Sequence, residues 1–296
     1  MSPSEAGTLV EAAPAKVNLA LHVRCRRADD YHDLETIFAF TEFGDTLTGA
    51  VGNTERRAPE GVQAQAALND LTLTVAGEFA ATLGEPDDLV LRAARALAAT
   101  AGVSVATNLR LTKRIPVAAG LGGGSADAAA TLRLLNRLWK LDWPPERLAE
   151  VGSQLGADVP ACVYGTPQVG RGRGEQLVLY PGASFAATPI LLVNPRIAMP
   201  TGPVFTGWDG VDQGALDPTQ PLRTLRNDLT GSALTLSPVV ETVLTTLDAA
   251  GASLSRMSGS GATCFGLFDD MSACAAACER IASAFPGWWM VATTLR

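Results

Sequence analysis

Pro116-Val-Ala-Ala-Gly-Leu-Gly-Gly-Gly-Ser-Ala-Asp127 is the stretch that decides how the rest of the chain is read. Gly122, Gly123 and Gly124 remove side chains where the backbone bends, so several N–H groups can face one point. Upstream, Val105 to Leu111 has the alternation of a strand. Downstream, Ser125 to Trp139 spaces Ala129, Leu132, Leu135 and Leu138 as a helix does. A helix that begins beside the glycines adds its unpaired N–H groups and the positive end of its dipole. On the residues alone, the segment is either a tight strand-to-helix turn or a cradle for an anion the size of a nucleotide phosphate. Two familiar phosphate loops do not fit. A Walker A loop needs a Lys after its last glycine, and none follows here. The dinucleotide GxGxxG pattern fails because Gly120 and Gly122 are followed by Ser125.

Outward from this segment, strands and helices alternate. Val17 to Val23, Leu34 to Phe43 and Leu71 to Val75 are expected as strands. Residues 49–70 are polar and non-periodic, and are expected to form a surface excursion or a loose hairpin. Asp87 and Asp88 precede a helical stripe of Leu89, Ala93, Ala96 and Leu97, where acidic residues suit the helix dipole. A further helix is expected from Pro144 to Leu155, opened by two prolines. After about Leu177 the texture changes. A strand at 189–195 leads into a Gly/Pro/Asp-rich loop from Met199 to Pro221. A helix from Pro238 to Ala249, with Ser237 as N-cap, then a strand at 262–268, a helix at 271–285 and a strand at 288–294 complete the chain. Mixed elements of this kind make an α+β or α/β layer protein. Two domains are expected, 1–175 and 176–296.

Bulk properties narrow the function classes. The chain has 296 residues, 47% hydrophobic and 18% charged, enough to bury a large core. Its net charge of -7 and scattered basic residues argue against a nucleic-acid partner, which needs a basic face. Five cysteines, Cys25, Cys162, Cys264, Cys274 and Cys278, are an odd count without a disulfide framework. Cys274 and Cys278 lie far in sequence from His22 and His32, the only histidines, so no metal site is expected. The first residues lack a signal-peptide pattern, and no apolar run reaches membrane-spanning length. A soluble, cytoplasmic protein with reduced thiols and no membrane partner is expected.

Pro116 to Asp127, as Pro-x-x-x-Gly-Leu-Gly-Gly-Gly-Ser-x-Asp in its strand-to-helix setting, resembles the signature of the GHMP kinases, the superfamily of galactokinase, homoserine kinase and mevalonate kinase. Further segments are similar to one family within it, the 4-diphosphocytidyl-2-C-methyl-D-erythritol kinases of the non-mevalonate isoprenoid pathway. These are Pro14-Ala-Lys-Val-Asn-Leu-Ala-Leu21, Arg27-Ala-Asp-Asp-Tyr-His-Asp-Leu34, Gly156-Ala-Asp-Val-Pro160 and Gly170-Arg-Gly-Arg-Gly-Glu175. Asn227-Asp228-Leu229 and Met257-Ser-Gly-Ser-Gly-Ala-Thr-Cys264 follow in the same order. The resemblance implies a two-domain α+β fold, N-terminally like ribosomal protein S5 domain 2 and C-terminally ferredoxin-like. It implies ATP, with Mg²⁺ carried by the nucleotide, and phosphoryl transfer to the 2-hydroxyl of a cytidine-diphosphate-linked sugar alcohol. The protein would be a monomer or a homodimer.

Site residues follow from the same motifs. The resemblance implies that ATP is held at Pro116, Val117, Ala118, Ala119, Gly120, Leu121, Gly122, Gly123, Gly124, Ser125 and Ala126, with Lys113 and Asp88 on the adenine side. It implies Lys16 and Asp158 as the catalytic pair, the carboxylate accepting the alcohol proton and the ammonium balancing charge. Asp158, ahead of Val159-Pro160, is expected at a helix-to-strand junction. Asn18, Tyr31, His32, Thr201 and Phe205 are implied around the substrate. Two departures stand out. Asp30 occupies the place of the family's glycine before Tyr31-His32, and Asp88 that of an asparagine, which leaves only an acceptor toward adenine. A different GHMP kinase substrate, or a ligand-binding regulator on the same fold, remain the alternatives.

Overall fold

The computed structural model describes residues 7–52, 71–82, 89–182 and 184–296. The chain gathers into two compact units, each drawn from separated stretches. The first comprises Met1–Ala13, Gly44–Ile115 and Gly124–Tyr164. The second comprises Pro14–Phe43, Pro116–Gly123 and Gly165–Arg296. A single boundary near residue 175 does not describe this division, because strands β1 (Leu9–Arg26) and β2 (His32–Val51) each contribute to both units.

In the first unit the second half of β2 pairs antiparallel with β4 (Thr107–Thr112), from Thr46 opposite Thr112 to Val51 opposite Thr107. Strand β3 (Leu71–Ala76) pairs parallel with β4. Parallel neighbours need a crossover, and helix α1 (Leu89–Ala101) lies between them in sequence. Its buried face is Val90, Ala93, Ala94 and Leu97, turned slightly from the expected stripe, so that Leu89 and Ala96 are only half-buried. Helix α2 (Gly123–Leu138) starts inside the glycine run, two residues earlier than expected. It sits so close to β2 that a Cβ on Gly49 would lie 2.8 Å from Leu134 Cδ2. Helices α3 (Pro145–Ser153) and α4 (Val159–Tyr164) follow. Arg133 of α2 ties this unit together, donating to Glu11 Oε1 at 2.8 Å and to the carbonyl of Cys162 at 2.6 Å. The expected excursion at 49–70 is strand through Val51, and residues 53–70 lie outside the described residues.

In the second unit β1 turns into β2 at residues 27–31, where Arg27 N–H donates to Tyr31 O at 2.8 Å. Leu34 to Phe38 pairs with β5 (Gln168–Gly172), which pairs in turn with β6 (Gln176–Leu179), all antiparallel. A four-stranded antiparallel sheet follows, from β7 (Pro189–Asn194), β8 (Leu254–Met257), β9 (Cys264–Leu267) and β10 (Trp289–Thr294), in the order β10-β7-β9-β8. Helix α7 (Val239–Ala249) joins β7's side of the chain to β8, and α8 (Met271–Ala284) joins β9 to β10. That β-α-β-β-α-β succession with this strand order is the ferredoxin-like arrangement. Leu191, Val193, Val243, Leu247, Phe268 and Ile281 belong to its core.

Three local elements differ from expectation. The loop at 199–221 contains a short helix, α5 (Thr201–Thr206), despite Gly202 and Pro203, since proline is tolerated in a first helical turn. Ser237 does not cap α7. It ends α6 (Thr230–Leu236), its N–H donating to Ala233 O at 2.8 Å, and Pro238 opens α7 without a side-chain cap because its missing N–H needs none. Asp158 stands between two helices, because Val159 and Pro160 start α4 rather than a strand. Among the described residues no helix is long and apolar enough to cross a membrane.

Candidate active site

Strand β1 supplies the first cluster of the second unit. Lys16 and Asn18 share one face of the strand by its period of two, and both are buried. Lys16 Nζ donates to Asn18 Oδ1 at 2.8 Å and sits 5.5 Å from the centre of the Phe38 ring. Asn18 Nδ2 donates to Thr36 Oγ1 at 2.8 Å, and Thr36 donates on to Ala20 O at 2.6 Å. The amide of Asn18 is thus fixed on both ends, which points its oxygen at Lys16.

The glycine-rich loop is bound to the same strand. Lys16 N–H donates to Leu121 O at 2.9 Å. Ser258 Oγ accepts from Asn18 N at 3.1 Å and donates to Gly120 O at 2.8 Å, and Thr263 N–H donates to Ala119 O at 3.2 Å. Asn227 holds the turn carrying Ser258, its Nδ2 donating to Met257 O and Gly259 O, each at 2.8 Å. Ala118, Gly120 and Gly122 have φ of 53°, 76° and 61°. Left-handed residues at alternate positions form the concave run of N–H groups known to bind anions. Gly120 is required twice over, by its φ and because a Cβ there would collide with Ser258 O. The chain runs from this loop directly into α2, whose first turn contains Gly124, Ser125 and Ala126.

A third cluster lies where β2 begins. Asp30 has φ of 65°, so the turn keeps the left-handed backbone for which glycine is favoured, and Asp tolerates it. Tyr31 is 57% exposed, its N–H donating to Asp29 Oδ1 at 3.2 Å and its ring lying 5.0 Å from the Arg173 guanidinium. His32 is buried, its ring 5.2 Å from Phe205 and 5.7 Å from Trp208. Burial, and then the charge of Arg26, lower its pKa below the ordinary histidine value. The neutral ring has one N–H donor and one acceptor. Thr201, at the start of α5, has its Oγ1 3.1 Å from Ser260 Oγ.

In the first unit, Asp158 is half-buried, and its carbonyl accepts from Cys162 N at 3.1 Å as α4 begins. Lys113, implied on the adenine side, belongs to the same unit. Its side chain is buried, with Nζ 2.5 Å from both Asp45 Oδ2 and Asp127 Oδ2. Asp45 also accepts from Ile115 N at 2.8 Å and from Arg114 N. Lys113 thus ties the segment entering the glycine loop to Asp45 of β2 and Asp127 of α2. Asp88 lies outside the described residues. Sequence reasoning gave no task to Thr36, Ser258, Trp208 or Asp45. Only the quoted 257–264 segment held a signal, for Ser258.

Two-sheet architecture, ferredoxin-like half and a strand-to-helix glycine loop define the class, and comparison with known proteins bears this out. Residues 88–166 match the GHMP kinases N terminal domain and residues 214–287 the GHMP kinases C terminal family. The 4-diphosphocytidyl-2-C-methyl-D-erythritol kinase of Rhizorhabdus wittichii is 48% identical, over 97% of this chain and 94% of its own. That of Sphingopyxis alaskensis is 45% identical, over 98% and 99%. A crystal structure of 4-(cytidine 5'-diphospho)-2C-methyl-D-erythritol kinase superposes with TM-score 0.76 at 30% identity, over 97% of this chain and 99% of that one. Homoserine kinase from Cytophaga hutchinsonii shares the fold at TM-score 0.69 and 17% identity, over 100% and 97%. The chain belongs to the 4-diphosphocytidyl-2-C-methyl-D-erythritol kinase family of GHMP kinases.

Proposed function

We propose that this protein transfers the γ-phosphoryl group of ATP to the 2-hydroxyl of 4-diphosphocytidyl-2-C-methyl-D-erythritol. The observation that carries this proposal is the Ser258 hydroxyl. It joins the strand bearing Lys16 and Asn18 to the glycine-rich loop, within the unit that also holds the His32–Phe205 pair. Alternating left-handed residues in the loop fit a phosphate chain. ATP, with Mg²⁺ carried on its phosphates, supplies the group transferred. The N–H groups from Val117 to Ala126 hold phosphate oxygens. Asp158 takes the proton of the 2-hydroxyl, and Lys16, oriented by Asn18, offsets the negative charge that develops. Tyr31 stacks on the cytosine, while the neutral His32 offers a donor and an acceptor to its edge. Thr201 and Phe205 line the substrate. Free cysteines suit a reducing cytoplasm.

The test is mass spectrometry of the products after incubation with ATP, Mg²⁺ and the cytidine-linked methylerythritol, with homoserine and mevalonate in parallel. A single added phosphoryl group on the cytidine-linked substrate alone is expected. Turnover of homoserine or mevalonate in its place would return the assignment to the superfamily.

A further inference from the structure

We propose that Trp208 is a positioning residue for base recognition, holding the His32 imidazole in the orientation that reads the cytosine edge. The inference rests on the base pocket of the preceding section and extends it to a residue outside every motif quoted above. Phe205 lies in the last turn of α5, and Trp208 lies two residues beyond its end. Both rings reach His32, at different angles: Phe205 is tilted 37° to it and Trp208 stands at 87°. Two rings at such different inclinations restrict imidazole rotation in a way that one stacking partner does not. Orientation matters because the neutral ring has only one donor and one acceptor, and a half-turn exchanges them.

The support behind Trp208 is itself fixed. Its N–H donates to Phe205 O at 3.2 Å and that of Gly207 to Pro203 O at 3.0 Å, closing the end of α5. Ser232 Oγ donates to Val204 O at 2.7 Å and occupies the space where a Cβ on Gly207 would project. The indole packs against the core of the second unit, and its buried Nε1 has no hydrogen-bond partner among the described residues. A phenylalanine would fill a purely structural place there without that unsatisfied donor. The larger ring is explained by its reach to His32.

The experiment is steady-state kinetics on full-length Trp208→Ala, Trp208→Leu and His32→Ala, varying each substrate in turn and including the uridine-linked analogue. An aromatic contact of this kind corresponds to a change of up to about tenfold. Both Trp208 variants are expected to raise KM for the cytidine-linked substrate by about that factor and to narrow the preference over uridine equally. KM for ATP and kcat should stay near wild type. Trp208→Leu keeps bulk without a ring and carries the comparison if Trp208→Ala fails to fold. NMR titration gives a second readout: with Trp208 removed, His32 loses burial and its pKa rises toward the ordinary value, His22→Gln serving to assign the two histidines. Unchanged KM in the Trp208 variants while His32→Ala raises it would overturn the role of Trp208 alone. Unchanged KM in His32→Ala as well would overturn the base pocket and the proposal together. A parallel rise in KM for both substrates would make Trp208 a general structural residue and refute the proposal.

Discussion

Replacing Lys113 by methionine tests whether the buried triad of the first unit anchors the segment entering the glycine loop. Lys113 is 1% exposed, and its ammonium faces Asp45 and Asp127 at 2.5 Å each. Methionine keeps most of the volume and removes the cation of the triad, leaving the carboxyl groups of Asp45 and Asp127 opposed in a dry site. Removing one partner of a buried ion pair costs about 3–5 kcal/mol, a large share of the roughly 5–15 kcal/mol that holds a domain together. The corresponding fall in Tm is roughly 6–20 °C for a protein of this size. Burial pushes the Asp127 carboxyl up to about 8 against the pull of Lys113, with the like charge of Asp45 adding to the rise. The folded protein therefore holds that proton more firmly than the unfolded chain. Its stabilising effect is complete below about pH 4 and is lost as pH rises through about 8. Urea unfolding at pH 5, 7 and 9 should show wild-type stability declining across this range, and Lys113→Met falling furthest at pH 9. Asp127→Asn should flatten the pH dependence and recover part of the loss when combined with Lys113→Met. A loss below about 1 kcal/mol at pH 9 is the scale of an ordinary substitution. That result, or no recovery in the double variant, would refute the anchoring role.

Three further outcomes are expected. Asp158→Asn should fold and bind ATP but lose about 10²–10⁴-fold in kcat; retention of near wild-type kcat would remove Asp158 from the chemistry. Gly120→Ala forces a Cβ against Ser258 O at a φ of 76°, so KM for ATP should rise in kinetics while far-UV circular dichroism stays native; unchanged ATP kinetics would place the phosphates elsewhere. Tyr31→Ala removes a stacking surface worth roughly 1–3 kcal/mol, about one to two decades in KM for the cytidine-linked substrate, with KM for ATP unchanged. Tyr31→Phe should be mild if stacking dominates, and an effect of Tyr31→Ala on ATP alone would relocate the base.

Where hydrophobic period and turn chemistry agreed, elements could be read directly from residues, as for Leu71–Ala76, Leu89–Ala101 and Met271–Ala284. Strands β5 and β8 escaped notice because Gln168-Val-Gly-Arg-Gly172 and Leu254-Ser-Arg-Met257 are too short and polar to show alternation, and are made strands by their partners. The site divides in the same way. The glycine loop is local in sequence and was legible, as was the Lys16-x-Asn18 spacing. Ser258 reaches Asn18 across 240 residues, a proximity that no local pattern encodes. Lys113 has a long-range contact of the same kind, its ammonium bonded to Asp45, 68 residues away.

The hydrogen bond between Asn18 and Ser258 also sets a timetable for synthesis. At about 5–20 residues per second, the 240 residues between them take roughly 12–48 s to translate. Arg256, whose guanidinium grips the carbonyls of Leu19, Leu222 and Leu225, arrives equally late. Through that interval the segment from Ala13 to Val23, buried throughout in the finished protein, must wait without its last partners. A ribosome-bound chain interrupted before Ser258 would carry both Lys16 and the glycines yet lack the hydroxyl that links them. Until then β1 is held in the sheet by β2, which follows it within a few residues.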